Sequence, residues 1–385
     1  MTYDPLTRIV QHFCRHPGQG ALSVNERRVL RIVHQHPNIA RADITALIAL
    51  TQQSVHRILE ALVARGLIAF STPVAQKRGQ PSPSVILCGD FAYTVGISID
   101  TDAVGISLLS FAGEVLAERG FELHRQDMAT VLARVETTVE AMRGACGLTS
   151  ERLFGAGLAI AGYMISGTSY NAPLPLHEWS LIELGPLVSK RFGGLPVWVN
   201  NEANMAAVCE ASLGVGRHIK NFVYLAFHYG LGGGIISDGE LIAGGYGNAG
   251  ELSGMFDKQT FPRRPALQSL LECLRDHGTD VPSIEYIHRR FDPDWPGISD
   301  WLDDVTPAYN QLINALCATV DPQAVVFGGQ IPSSLASMLI ARTEFYHNAL
   351  RYGVSRREPK LLISNLKGHP SATGAAMTPL KNVFF

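Results

Sequence analysis

Gln52, Gln53, Ser54, His56 and Arg57 crowd the start of one helical stretch, and their chemistry is that of base-pair edges. Glutamine offers a donor and an acceptor that match adenine, and the forked donor of arginine matches guanine. Such residues on the first turns of a helix can read a major groove. Lys77 and Arg78 follow in a polar Pro/Gly-rich stretch over 72–83, where exposed cations suit phosphates or the minor groove.

The surrounding pattern predicts a scaffold for both groups. Residues 24–35 show helical spacing, with Val29, Ile32 and Val33 as an apolar stripe that His36-Pro37 brings to an end. A short helix over 41–47 and a tight turn at Ile48-Ala49-Leu50 come next. Thr51 is a good N-cap for a third helix reaching Ala64, whose Val55, Ile58, Leu59 and Leu62 face inward and leave the five polar residues outside. Residues 66–70 and 84–87 read as strands around the basic loop, which makes a wing.

Polar helix faces are usually only solvated, and short helices with a hairpin also build protein-interaction modules. Charge separates the readings. Residues 1–89 carry ten Lys/Arg against four Asp/Glu, and 90–385 carry twenty-two against thirty. A head at +6 thus joins a body at −8 in a chain whose net charge is only −2. That asymmetry favours a head that meets DNA phosphates.

The six cysteines (Cys14, Cys88, Cys146, Cys209, Cys273, Cys317) are scattered, with no CxxC pair. This speaks against a disulfide framework and a zinc ribbon, and suits a reducing compartment. No charged-then-apolar leader opens the sequence, and no apolar run approaches the ~20 residues of a membrane-spanning helix. The expectation is a cytoplasmic protein.

From Tyr93 onward the pattern changes. Strands are expected over 93–99, 104–110, 115–123, 153–160, 197–200, 222–227, 233–236, 324–327 and 360–364. Helices are expected over 128–143, 203–213, 264–276 and 300–319, with one more after Gly328-Gly329 and one at the end; a Gly-rich loop spans 243–250. Strands alternating with helices in two similar halves predict a two-lobed α/β body with a cleft between the lobes. The expected organisation is a winged helix-turn-helix domain over 1–89 and the two-lobed domain over 90–385.

Four stretches of the body carry a resemblance in order and spacing: Val199-Asn-Asn-Glu-Ala-Asn-Met-Ala-Ala207, Gly230-Leu-Gly-Gly-Gly-Ile-Ile236, Gly247-Asn-Ala-Gly-Glu251 and Val325-Val-Phe-Gly-Gly329. With the segment 41–57 and Lys77-Arg-Gly-Gln-Pro81, they make nearly the whole chain resemble the ROK family of bacterial sugar kinases and sugar-responsive repressors. The resemblance implies an actin-like, ribonuclease H-like sugar-kinase fold behind a winged head. In the wing, Gln80 replaces the arginine of a Gly-Arg-Pro motif, so minor-groove reading falls to Arg78.

The departures from the family pattern bear on chemistry. The first phosphate cradle, an Asp-x-Gly-Gly-Thr turn, here reads Ser98-Ile99-Asp100-Thr101-Asp102, which loses both glycines and adds two anions. The leading glycine of the second cradle is replaced by His228. Glu202 stands where kinases of the family place an Asp base, and its extra methylene shifts the carboxylate by about 1 Å or more. Pro175 stands where many members have a sugar-contacting Asn ahead of Trp179. Gly254 replaces a zinc-binding histidine, and 255–265 holds no Cys or His.

The resemblance therefore implies a repressor-type regulator with no catalytic residue, no cofactor and no metal. Asn201, Glu202 and Glu251 are its expected sugar contacts. Its expected partners are a small carbohydrate and double-stranded operator DNA, bound as a homodimer or dimer of dimers. An active ATP-dependent sugar kinase carrying a DNA-binding head is the alternative.

Overall fold

Ser23 opens the first described helix with a capping box: its hydroxyl accepts from the Glu26 amide, and the Glu26 carboxylate takes the Ser23 amide. The computed structural model describes residues 21–71, 83–123, 126–346 and 352–385. Helix α1 (Val24–Gln35) buries Val29, Leu30 and Val33. It is followed by β1 (Ile39–Ala40), α2 (Arg41–Leu47) and α3 (Gln52–Ala64), which Thr51 caps as expected. Strands β2 (Ile68–Ser71) and β3 (Ser84–Leu87) complete a sheet of order β1-β3-β2.

Two details differ from the sequence expectation. The tiny β1 was not anticipated, because two residues carry no readable period. Gly66-Leu67 belongs to a turn rather than a strand, since Gly66 has a φ of 71°. The expected wing loop, with Lys77 and Arg78, lies outside the described residues.

The rest of the chain repeats one pattern twice. In the first lobe an antiparallel meander, β4 (Tyr93–Ile99), β5 (Ala103–Ser110) and β6 (Val115–Glu122), is extended by parallel β7 (Leu153–Ile160) and β10 (Val197–Asn201). In the second, the meander is β11 (Phe222–Phe227), β12 (Leu231–Ser237) and β13 (Glu240–Leu241), extended by β14 (Ala324–Gly329) and β15 (Lys360–Ile363). The sheet orders, β10-β7-β4-β5-β6 and β15-β14-β11-β12-β13, are the same when each half is counted from its own first strand. A hairpin, β8 (Tyr163–Ser166) with β9 (Ser169–Asn171), projects from the first lobe.

Helices α4 (Met128–Ala145) and α5 (Leu184–Arg191) cover the outer face of the first sheet. Helices α7 (Leu267–Asp276), α8 (Ile284–Arg290), α9 (Ile298–Thr319) and α10 (Ser333–Ala341) cover that of the second. Between the sheets lie α6 (Glu202–Leu213), on β11 and β12, and α11 (Pro370–Val383), on β4, β5 and β7. The two middle helices also pack on each other.

This stack is possible because glycines remove side chains at the crossings. A Cβ on Gly157 would lie 2.0 Å from the Ala375 carbonyl oxygen, and one on Gly374 would lie 1.8 Å from that of Met205. On the other side of α6, a Cβ on Gly234 would meet that of Ala207 at 2.4 Å. The run Gly232–Gly234, which resembles a phosphate loop in sequence, is thus part of strand β12 and serves helix packing.

The head is welded to the body through the end of α11. Leu380, Phe384 and Phe385 join Val29, Leu30, Val33, Val85 and Leu87 in one apolar cluster with Phe111 and Phe154 of the first lobe. His34 stacks on Phe385 with ring centroids 4.5 Å apart. Arg27 donates to the Asn382 carbonyl at 2.9 Å, and Arg31 donates to that of Phe385 at 2.7 Å. Burial first, then Lys381, pulls the His34 pKa from 6.5 down to about 4, with Glu240 opposing.

Two outcomes follow from this packing. Gly157→Ala should lower unfolding stability by about 1–3 kcal/mol, as overpacking does, in denaturant titration. Because unfolded His34 takes a proton near pH 6.5 and folded His34 only near 4, stability should fall as pH drops through that window. His34→Gln should flatten that part of a melting-temperature profile against pH.

Candidate functional site

Asn201 ends β10 and caps α6, and the cleft is built around it. Its Oδ1 accepts from the amides of Ala203 at 2.7 Å and Asn204 at 3.3 Å. Its Nδ2 donates to the Gly162 carbonyl at 2.8 Å and to Glu251 Oε1 at 3.3 Å. An asparagine amide has two N–H groups and two main acceptor lone pairs, so Asn201 is fully engaged. The residue expected to touch a ligand lines the cleft cavity, and it also fixes the first turn of α6 and bonds Glu251.

Glu202 is the first residue of α6, and its Oε2 is buried without a partner. Burial and the neighbouring Asp100, Glu251 and Asp102 hold its carboxyl well above the usual carboxylate range. Glu251 is raised as well, through burial. Both belong to a cavity of about 360 Å³ that Asn171, Pro173, Gly230, Ser253 and Arg264 also line. Asn171 and Arg264 escaped the sequence reading. A lone Asn at the end of a three-residue strand and an Arg in an irregular segment carry no period or motif that could mark them.

The β4–β5 turn supplies Asp100 and Asp102. Asp102 Oδ2 accepts from the Glu285 amide at 3.1 Å, which ties this turn of the first lobe to α8 of the second. Gln330 Nε2 reaches Asp102 Oδ1 and Glu285 Oε2, both at 3.4 Å, while its Oε1 faces His228 Nδ1 at 3.3 Å. A second cavity, of about 590 Å³, lies on this side, lined by Tyr224, Glu285, Arg289, Gly329 and Gln330 among others. Asp100 and His228 line both cavities and so form the wall between them.

The Gly-rich stretch expected as a loop over 243–250 turns at Gly244, Gly247 and Gly250, each with positive φ. Asn248 clamps it to β8, accepting from the Met164 amide at 2.7 Å and donating to the Met164 carbonyl at 2.9 Å. Pro175 lies exposed in a 3-10 turn (Leu174–Trp179) and does not line the cavity. In the segment expected to lack zinc, Arg264 stacks over the Phe261 ring at 3.8 Å. In the head, Gln52, Gln53 and Arg57 are exposed, and Ser54 and His56 are half-buried. Ser54 bonds the Thr51 hydroxyl at 2.9 Å and His56 pairs with Glu60 at 3.1 Å, so Arg57 is the least committed of the cations on this face.

Residues 94–256 match the ROK family and residues 22–79 match the MarR family. Over residues 94–256 the body of this chain is similar to the ROK family. A MarR-type winged helix-turn-helix precedes it. The chain is 25% identical over 370 residues to protein y4fQ of Sinorhizobium fredii, covering 94% of this chain and 92% of that one. It is 26% identical over 230 residues to the xylose repressor of Caldicellulosiruptor bescii, covering 60% of this chain and 57% of the repressor. A solved ROK family transcriptional regulator, a homologue of the E. coli MLC protein, superposes with a TM-score of 0.70 at 21% identity, covering 94% and 97% of the two chains. The winged head and the two-lobed sugar-kinase fold expected from sequence are therefore the fold of this protein. No described helix is long and apolar enough to cross a membrane.

The engagement of Asn201 sets a measurable expectation. Asn201→Ala, which uncaps α6 and frees the Gly162 carbonyl, should cost about 1–2 kcal/mol in denaturant unfolding. Asn201→Asp, which retains the capping oxygen, should recover part of that loss.

Proposed function

We propose that this chain is a DNA-binding transcriptional regulator of repressor type, and that its cleft takes a carbohydrate effector instead of running phosphoryl transfer. The observation that carries this reading is the wall between the two cavities. Asp100 and His228 stand at positions where the kinase pattern of the ROK family has glycine, and they fill the space a transferred phosphoryl group would cross. Their neighbour Asp102 adds negative charge, which phosphate avoids. The names of the relatives, xylose repressor and ROK transcriptional regulator, support the same assignment.

In this reading Glu202 and Glu251 accept hydrogen bonds from sugar hydroxyls, Asn171 and Arg264 donate, and Asn201 positions Glu251. Helix α3 enters the major groove with Gln52, Gln53, Ser54, His56 and Arg57, while Lys77 and Arg78 meet the backbone or minor groove. The chain acts in the cytoplasm as a homodimer or a dimer of dimers. Two heads then engage half-sites about 34–36 Å apart. Helix α6 provides the link. It starts in the cleft and runs about 18 Å to Ala211, Ser212 and Leu213, which line a groove shared with Arg31 and His34 of the head.

The test is fluorescence anisotropy of the full chain on DNA from upstream of its own coding sequence. Binding should weaken steeply with salt, and Arg57→Ala should weaken it about 10–100-fold, the worth of one bidentate base contact. A panel of mono- and disaccharides should contain one that raises the melting temperature and changes DNA affinity, with Glu251→Gln abolishing both effects. Sugar-dependent ATP turnover lost in Glu202→Gln would instead make the chain a kinase. Salt-insensitive binding would make the head a protein-interaction module.

A further inference from the structure

Asp100, Glu202 and His228 come from three separate elements, the β4–β5 turn, the start of α6 and the β11–β12 turn. One ligand atom from each lies within 4.8 Å of the other two. We propose that these three side chains form a binding site for a first-row divalent cation of the Mn²⁺-to-Zn²⁺ class. This goes beyond the effector reading and does not depend on it. It also revises the expectation of no metal, which rested on the segment after Glu251 and did not consider these residues together.

The hydrogen-bond partners around His228 orient its ring. His228 is 9% exposed, and its Nε2 is buried with no partner, as are Asp100 Oδ1 and Glu202 Oε2. Leaving such atoms unpaired is costly. Gln330 determines which imidazole nitrogen carries the proton. Its Nε2 lies between the two carboxylates Asp102 and Glu285, which can only accept, so the amide nitrogen must face them. The amide oxygen then faces His228 Nδ1, and that nitrogen must be the donor. In the neutral ring the lone pair is then left on Nε2, the nitrogen that is buried without a partner. A histidine whose far nitrogen is held by a carbonyl is the arrangement that orients imidazole toward metals.

Charge and donor chemistry agree. Asp100, Asp102, Glu202 and Glu251 surround the position, and among the described residues Arg264 is the lone arginine or lysine lining the smaller cavity. A divalent ion offsets that excess of carboxylate. Ligands about 2.1 Å from an ion lie about 3.4 Å from one another at tetrahedral angles, so the three atoms, which lie within 4.8 Å of one another, need to draw in by up to about 1.4 Å. One imidazole and two carboxylates with no thiolate suit Mn²⁺, Fe²⁺, Ni²⁺ or Zn²⁺ and disfavour soft Cu(I). Mg²⁺, which prefers oxygen ligands and keeps its waters, fits poorly.

Chelator-stripped full-length protein titrated with Zn²⁺, Mn²⁺, Ni²⁺ and Mg²⁺ by calorimetry, with metal analysis after gel filtration, tests the site. One transition-metal ion per chain is expected, with Mg²⁺ binding far more weakly. Asp100→Asn and His228→Gln should each abolish it while circular dichroism stays that of the parent. Gln330→Leu, which removes only the orienting amide, should weaken binding about 10–100-fold. His277→Gln, which deletes the surface imidazole beside Cys273 and Asp300, should leave the count at one. The Co²⁺ form should lack thiolate-to-metal charge transfer. Absence of binding to the folded parent would overturn the proposal, as would an ion that survives both Asp100→Asn and His228→Gln. The readout uses no sugar or DNA, so failure here and failure of the regulator reading are separately visible.

Discussion

Everything in the body depends on two helices crossing where one of them has no room for a side chain. Helices α6 and α11 lie between the sheets of the two lobes, and the contacts of Gly157, Gly234 and Gly374 hold the layers closer than any Cβ would permit. Interiors packed at crystal-like density transmit displacement instead of absorbing it. The helix that starts at Glu202 is thus held along its length, and so is the one whose last residues anchor the head.

That constraint explains how the site is built. The cap of α6 uses up the side-chain amide of Asn201, and Glu202 and Glu251, both held above the usual carboxylate range, are among the acidic groups that line the cavity. The β4–β5 turn is tied across the cleft through Asp102, Gln330 and the Glu285 amide. The lips of the cleft are therefore bound together by hydrogen bonds made of residues that a phosphate-binding turn would not contain. Head and body likewise share one apolar core, so they respond as a single mechanical object.

The long, strongly periodic elements were legible in the sequence. The capped helix at Thr51, the first meander and the similarity of the two halves were marked by hydrophobic period and turn residues, whereas the two-residue β13 was not. Short elements such as β1, β8, β9 and α8 carried too few residues to show a period. The roles of individual polar residues were less legible, because hydrogen-bond satisfaction is a three-dimensional property. Asn201, expected as a ligand contact, lines the cavity and is at the same time a cap, which no sequence pattern shows. Asp100 and His228 read only as lost glycines, since nothing in the sequence places residues 128 positions apart on one atom-sized spot. Arg264 enters the cavity from irregular chain and Asn171 from the end of the three-residue β9, and neither carries a pattern that predicts direction.

The wall formed by Asp100, His228 and the nearby Glu202 has an evolutionary consequence. If an ancestor of this domain transferred phosphate, the route back is closed to single steps. Restoring glycine at Asp100 or at His228 alone leaves the other side chain in the wall between the cavities. No intermediate on that path gains activity for selection to favour. The substitution set acts as a ratchet, and a lineage that has acquired it is free to remodel the surrounding cleft for other ligands.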